Sequence, residues 1–118
     1  MSENWTWPAG LDAVIAAPNH HTVLLENEHV RVLDTRIEPG ELTPLHTHRW
    51  PSVYYVVSWA DFIRRDGEGN VLVDTRQAPK GPVPKAIWSE PLPPHTLENA
   101  GTVAIHVVSV EIKGGAGD

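Results

Sequence analysis

Residues 40–48 read Gly-Glu-Leu-Thr-Pro-Leu-His-Thr-His, and residues 93–99 read Pro-Pro-His-Thr-Leu-Glu-Asn. These two stretches decide the fold. His46 and His48 stand two positions apart, so on a β-strand both imidazoles project from one face, roughly 6.5–7 Å apart along the backbone. His95 supplies a third imidazole far downstream. If the two stretches are neighbouring strands, their three imidazoles can converge on one ion.

The chain around these stretches predicts short strands separated by turns. Val, Ile, Thr and aromatic residues cluster in runs bounded by Gly, Pro, Asn and Asp, a pattern typical of strands. We expect strands at residues 21–26, 29–37, 43–48, 53–59, 61–65, 71–74, 85–88, 95–98 and 102–113. Helix is expected only as a short turn within residues 10–17. Within residues 29–37 the apolar positions change face midway, which predicts a β-bulge.

The composition is typical of one globular domain spanning residues 1–118. The chain has 118 residues, of which 41% are hydrophobic, and this length suits a single core. A net charge of −6 disfavours nucleic acid and anionic membrane surfaces as partners. There is no cysteine, which excludes disulfides and thiolate metal sites. No secretory signal or membrane-spanning segment is evident, so the expected compartment is the cytoplasm.

Short strands at even spacing with little helix predict an all-β barrel or sandwich, and the two ends of the chain are expected to lie outside it. Residues 1–10 form an N-terminal arm, and its Trp5 and Trp7 need burial against the barrel or a second subunit. The glycine-rich residues 114–118 form a flexible tail. An open barrel also exposes edge strands that pairing with another chain would cover. The arm and the edge strands together predict a homodimer.

The spacing Gly40-x5-His46-x-His48, followed downstream by His95-x3-Asn99, resembles the two signature motifs of the cupin superfamily. The resemblance covers nearly the whole chain. It implies an all-β fold, the antiparallel double-stranded β-helix (the cupin or jelly-roll barrel), here with a short N-terminal helical turn. It also implies that the residues at the metal-ligand positions of the family are His46, His48 and His95.

The chain departs from the cupin pattern at three positions. Ser52 stands where the first motif has a glutamate, and Trp59 and Leu92 stand where the motifs have glycines. Three neutral imidazoles without the glutamate would leave a divalent ion its full charge and at least one open coordination position. Such a centre favours a small anionic or chelating molecule. We expect one divalent transition metal, and the residues leave its identity open among Fe, Zn, Ni and Mn.

Three functions fit this set of residues. The resemblance to cupin-fold dioxygenases with three-histidine iron sites implies an Fe(II)-dependent oxygenase-type enzyme for a small anionic or chelating substrate. Zinc at the same residues would favour a hydrolase or lyase, which needs a proton shuttle such as His106 or Glu98 facing inwards. The lost glutamate and glycines favour a non-catalytic small-molecule-binding or regulatory module. The catalytic residues stay open.

Four further residues are weighed for the pocket. Trp50, beside the His-x-His pair, is the best aromatic candidate for the cavity mouth, and Tyr55 is another. Ser52 is expected to be a small residue that widens the pocket. His106 is weighed as a fourth ligand or general base against a satisfied core histidine, which is favoured.

Asn99 is expected to close a turn. A last group of polar residues is expected in solvent: His20, His21, His29, Arg64 and Arg65.

Overall fold

The computed structural model describes residues 5–114. A 3-10 turn at Ala9–Leu11 and a single helical turn, α1 at Ala13–Ala16, come first, and a second 3-10 turn lies at Thr75–Gln77. The strands are β1 His21–Glu26, β2 Val30–Ile37, β3 His46–His48, β4 Ser52–Ser58, β5 Phe62–Asp66, β6 Val71–Asp74, β7 Ala86–Ser89, β8 Leu92–Asn99 and β9 Ile105–Ile112. Residues 1–4 of the expected arm and 115–118 of the expected tail lie outside the described residues.

The strands form two sheets that enclose a shared interior. The larger sheet has five strands in the order β1-β2-β9-β4-β7, and the smaller has four in the order β3-β8-β5-β6. All pairings between these strands are antiparallel. Most neighbours in space are distant in the chain, as a jelly-roll requires. The observed architecture is therefore the expected all-β one, with its short helical turn at the N-terminus.

An apolar core closes one end of the space between the sheets. Ile37 and Ile105 of the larger sheet meet Phe62 of the smaller one, and each is at most 8% exposed. The Trp59 ring packs edge-on against Phe62, with 5.6 Å between ring centroids. Burying one such side chain contributes about 1.5–3 kcal/mol. The buried polar side chains Arg31, His46, His95 and Glu111 are not part of this core, and we refer to their part of the interior as the polar end.

The helical turn is tied to the larger sheet by one carboxylate. Asp12 is the N-cap of α1, and its side chain accepts a hydrogen bond from the Val14 N–H at 3.3 Å. The same carboxylate accepts from both Nη atoms of Arg31 on β2, at 2.8 and 3.0 Å. The turn therefore lies against the interior near the polar end. None of the described helices is long and apolar enough to cross a membrane.

Strand β2 is regular, so the predicted bulge within it is wrong. Its pairing with β9 continues without a shift over its full length, and the irregularity lies in the β1–β2 pairing, between Val23 and Leu25. The apolar pattern changes face because Arg31 points inwards, where it is 4% exposed. The alternation of a strand predicts an apolar side chain at this inward position, and the chain has an arginine there.

The two motif stretches meet inside the barrel. His46 on β3 and His95 on β8 are direct partners across the sheet. Gly40 has φ +83°, a conformation that favours glycine, and its N–H donates to the Asn99 carbonyl at 3.0 Å. The Asn99 side chain accepts from the Gly101 N–H at 2.9 Å, which fits its expected role in a turn. The spacing of the motifs thus places their histidines side by side.

Candidate metal centre

Four imidazoles line one cavity between the sheets, and we refer to them as the imidazole cluster. Its members are His21 at the start of β1, His46 and His48 on β3, and His95 on β8. Centroids of neighbouring rings lie between 4.4 Å, for His46 and His95, and 5.7 Å, for His48 and His95. Ring nitrogens of His21, His46 and His48 all lie within 4.8 Å of one another. These three imidazoles could therefore share one metal ion, whereas the predicted ligand His95 is not in this set.

The sequence predicted three members of the cluster and missed the fourth. His46, His48 and His95 come together because β3 pairs with β8. The expectation that His21 lies in solvent is wrong, since it is 5% exposed and its ring is 4.9 Å from that of His46. The available signal was its register: the β1–β2 hairpin places His21 opposite Thr35, which also lines the cavity.

Backbone carbonyls fix the tautomer of three of the imidazoles. The carbonyl oxygens of Ala17, Pro44 and Pro93 lie 3.0, 2.7 and 2.8 Å from the Nδ1 atoms of His21, His46 and His95, respectively. A carbonyl oxygen can only accept, so each of these Nδ1 atoms carries the proton and each Nε2 carries a lone pair. Both prolines stand two residues before their histidine, so the same local geometry orients His46 and His95.

A buried series of charged side chains orients the remaining imidazole, that of His48. Nδ1 of His48 donates to Oε2 of Glu111 at 3.2 Å, and Oε1 of Glu111 accepts from Nε of Arg31 at 2.6 Å. Arg31 in turn binds Asp12. Burial opposes the charge of Arg31, but the hydrogen bonds to Asp12 and Glu111 outweigh it and raise the pKa of the guanidinium. Glu111 thus lies behind His48, as the outer carboxylate partner of a metal-binding imidazole does.

The free nitrogens of the imidazole cluster are unprotonated and unpaired. No Nε2 atom of the four has a hydrogen-bond partner within residues 5–114. Burial and the neighbouring imidazoles lower the pKa of His21 and His48 from 6.5 to about 3, and that of His95 to about 2. Burial also lowers the pKa of His46. At neutral pH the cluster therefore offers four lone pairs, the donor set that transition metals bind.

We expect the metal-free protein to lose stability as the pH falls from 7 to 5. The pKa values of His21, His48 and His95 in the folded protein lie below the value of 6.5 in an unfolded chain. Below about pH 6.5 the unfolded state therefore binds more protons, and each group lowers the free energy of unfolding by up to about 1.4 kcal/mol per pH unit. The loss ends only when the pH reaches the folded-state pKa.

Urea unfolding at steps between pH 7 and 5 measures this dependence. Replacing His95 with Asn should make the slope shallower, because one titrating group is removed. Replacing the exposed His29 with Asn is the matched control and should leave the slope unchanged. A free energy of unfolding that stays flat over this range would contradict the neutral, buried state of the imidazole cluster.

The cavity beside the cluster is small and mixed in character. Its volume is about 70 Å³, which is enough for several waters or a small molecule. Its apolar wall consists of Ile37, Trp59, Phe62, Leu92, Leu97, Ile105 and Val107. Its other polar lining residues are Thr35, Tyr54, Arg64 and Ser109. Among the described residues, no Asp or Glu lines it.

Three of the residues weighed for the pocket lie elsewhere. Tyr55 is on the outer face of β4, where it is 52% exposed, and Tyr54 lines the cavity instead, because adjacent residues of a strand project to opposite faces. The Trp50 ring packs over the guanidinium of Arg31, with 4.9 Å between the ring centroid and the Arg31 Cζ. Ser52 is buried but pairs with the Glu111 end of β9, so it does not widen the cavity.

The two residues weighed as proton shuttles face away from the cavity. His106 lies on the outer face of β9, where its Nε2 contacts Oδ1 of Asp34 at 2.7 Å, so it is neither a ligand nor a core histidine. Glu98 accepts a hydrogen bond from Arg65 at 2.9 Å. Arg64, expected in solvent, lines the cavity instead.

Solved structures with the same architecture exist at low sequence identity. A cupin-domain protein from Bordetella pertussis Tohama I has 24% identity and a TM-score of 0.59, covering 80% of this chain and 92% of that one. An uncharacterised conserved protein with a double-stranded β-helix domain from Klebsiella pneumoniae has 19% identity and a TM-score of 0.56, covering 98% and 90%. An RmlC-like cupin family protein from Methanocaldococcus jannaschii has 12% identity and a TM-score of 0.53, covering 78% and 77%.

These similarities show the fold alone, and the predicted double-stranded β-helix is confirmed. No protein-family model matches the chain, and neither does any curated protein. What the site does must therefore be argued from its own residues.

Proposed function

We propose that this chain, which has the cupin fold, binds one divalent transition metal through the Nε2 atoms of the imidazole cluster. The observation that carries the proposal is that every Nδ1 of the cluster has an acceptor while no Nε2 has a partner among the described residues. The four rings line one cavity, where a single cation could accept their lone pairs together. The proposed ligands are the predicted His46, His48 and His95, joined by His21.

The metal, when bound, would supply a positive centre for a small anionic or chelating molecule and, as Fe(II), electrons for reaction with dioxygen. The residues of the chain supply the rest. The carbonyls of Pro44 and Pro93 and the carboxylate of Glu111 hold the imidazoles in the ligating orientation. The apolar wall keeps bulk water from one side of the cavity. We therefore propose an oxygenase-type enzyme as the most concrete form of this function.

The two alternative functions differ in how well the cavity suits them. A zinc hydrolase or lyase needs a group near the ion that accepts and returns a proton. His106 and Glu98 face away, and outside the cluster the described lining residues include no carboxylate and no further imidazole. A non-catalytic binding module would use the same cavity and differ only in the absence of turnover.

Metal analysis followed by oxygen uptake tests the proposed function. Protein stripped with a chelator and reloaded with Fe(II), Zn, Ni or Mn should bind about one ion per chain. The iron-loaded protein should then consume oxygen with small thiol or diketone substrates. Failure to bind any of these ions would overturn the metal function. Stoichiometric binding without oxygen uptake would overturn the oxygenase and favour the binding module.

We also propose a homodimer joined through the outer face of the larger sheet. Val53, Tyr55 and Val57 on β4 are 38%, 52% and 53% exposed. Trp88 on β7 and Val110 on β9 lie directly opposite Val53 on either side and are 53% and 37% exposed. A contiguous apolar surface of this kind marks an interaction site. The sequence of β4, apolar on both faces, predicts a covered outer face, and a second copy would cover it.

Replacing Val57 with Glu should convert this dimer into a monomer. The substitution would bury an unpaired charge at the interface, which costs more than a dimer interface of modest size supplies. Size-exclusion chromatography with light scattering measures the mass. Replacing Leu72 on β6 with Glu is the matched control, because Leu72 is also 53% exposed but lies on the smaller sheet. A wild-type chain that is monomeric at high micromolar concentration would contradict the proposal.

A further inference from the structure

Arg64 is a cation without a counter-ion in the described part of the chain. Strand β5 places it opposite Leu97 of β8, and both side chains line the cavity. The Arg64 guanidinium makes no hydrogen bond or salt bridge with residues 5–114, and its Nε is buried. The next residue, Arg65, is bound to Glu98 at 2.9 Å outside the cavity. Two adjacent arginines of one strand therefore have opposite environments.

The surroundings of Arg64 offer it no anion. The described residues that line the cavity include no carboxylate, and the contact that the guanidinium does make is with the Phe62 ring, 5.8 Å from Cζ to the centroid. Arg49 also has a buried, unpaired Nε, but it stacks near Trp50 and does not line the cavity. The Nε–H of Arg64 is a buried donor without an acceptor among the described residues, which is unfavourable, so a bound ligand is expected to complete its hydrogen bonding.

We infer that Arg64 is the anion-binding residue of the cavity and that the ligand is a small monocarboxylate with a short apolar tail. A guanidinium pairs with a carboxylate through two parallel N–H···O bonds. The apolar wall around Phe62 and Leu97 suits the tail, and the small cavity volume of about 70 Å³ favours a short one. The inference rests on the proposed function in that the bound carboxylate would share the cavity with the imidazole cluster.

Isobutyrate and its uncharged isostere isobutyramide probe the inference. Isobutyrate should bind the wild-type protein in calorimetry and raise its Tm saturably, while isobutyramide should do neither. Replacing Arg64 with Gln removes the charge and should weaken isobutyrate binding by about 10- to 100-fold, the usual effect of losing a hydrogen bond to a charged group. Replacing Arg65 with Gln is the matched control and should change the affinity by less than about 2-fold.

The Tm of the ligand-free variant separates ligand binding from a structural role. Removing a charge that has no partner among the described residues should leave the Tm of Arg64→Gln equal to or above that of the wild type. A lower Tm would show that the arginine serves packing and would count against the inference. Equal affinity of the wild type and Arg64→Gln for isobutyrate would overturn it. If Arg64→Gln does not fold, equal affinity of the wild type for isobutyrate and isobutyramide overturns it instead.

Cobalt binding distinguishes failure of this inference from failure of the proposed metal function. Arg64→Gln should bind Co(II) with the same stoichiometry as the wild type, because Arg64 is not a ligand. If the wild type itself binds no cobalt, the metal function fails. The comparison of isobutyrate binding in the metal-free proteins still decides the role of Arg64.

Discussion

Replacing His46 with Ala should weaken the binding of a divalent transition metal by more than about 100-fold. His46 is central to the imidazole cluster, with its ring centroid 4.9 Å from that of His21, 5.0 Å from His48 and 4.4 Å from His95. Losing the outer hydrogen-bond partner of a ligand typically costs 10- to 100-fold in affinity, so losing the ligand and its bond should cost more. Competition with a chromophoric chelator measures the affinity.

The control for this variant is His20→Ala. His20 is adjacent to His21 in the chain, but its Nδ1 contacts the carbonyl of Arg36 at 3.1 Å and it does not line the cavity. Its replacement should leave the affinity for metal unchanged within about 2-fold. Unchanged affinity in His46→Ala would refute the proposed site.

The variant His21→Ala decides between three ligands and four. A loss comparable to that of His46→Ala would establish four imidazoles around the ion. Affinity close to that of the wild type would favour the set predicted from the motifs, in which His21 lies beside the ion without binding it. The Nε2 atom of His21 carries no proton in either case, because Nδ1 donates to the Ala17 carbonyl.

The fold was largely predictable because strand patterns and turn residues act locally. β1 and β6 have the predicted bounds, and β2 begins one residue after its predicted start and pairs with β1. Three strands begin three residues away from the predicted position: β9 at Ile105 rather than at residue 102, and two others at prolines. β3 begins at His46 rather than at residue 43, after Pro44, which has no N–H to donate, whereas β8 already begins at Leu92 and contains Pro93 and Pro94. Whether a proline can lie within a strand depends on whether its N–H position faces a paired neighbouring strand. The local sequence pattern does not give that information.

The cavity was less predictable because its lining depends on pairing between distant strands. His21 begins a strand whose other residues are all exposed, so no alternation marks its inward face. Phe62 and Ile63 are both buried, so β5 gives no clear parity from which to place Arg64. The motif histidines could be assigned because the His-x-His spacing sets one face for His46 and His48, and the resemblance to the cupin motifs adds His95.

A second large effect is expected at the polar end of the barrel, where Arg31 joins Asp12 to Glu111. Replacing Arg31 with Met should lower the free energy of unfolding by about 3–5 kcal/mol, because it leaves buried carboxylates without their cation. Arg31 and Glu111 side chains are only 5% and 1% exposed. The exposed pair of Arg36 and Glu38 provides the control, since Arg36→Met should cost no more than about 1 kcal/mol. Chemical denaturation measures both, and similar costs would contradict the prediction.

The double variant Arg31→Met/Glu111→Leu separates stability from orientation of the metal site. Replacing a buried ion pair by apolar residues is often close to neutral, so much of the lost stability should return. Metal affinity should nevertheless stay about 10- to 100-fold below that of the wild type. The reason is that the His48 Nδ1–H loses its acceptor, the carboxylate of Glu111. Recovery of both stability and affinity would mean that Glu111 does not orient His48. Recovery of stability alone would show that Asp12, Arg31 and Glu111 orient the His48 imidazole towards the ion.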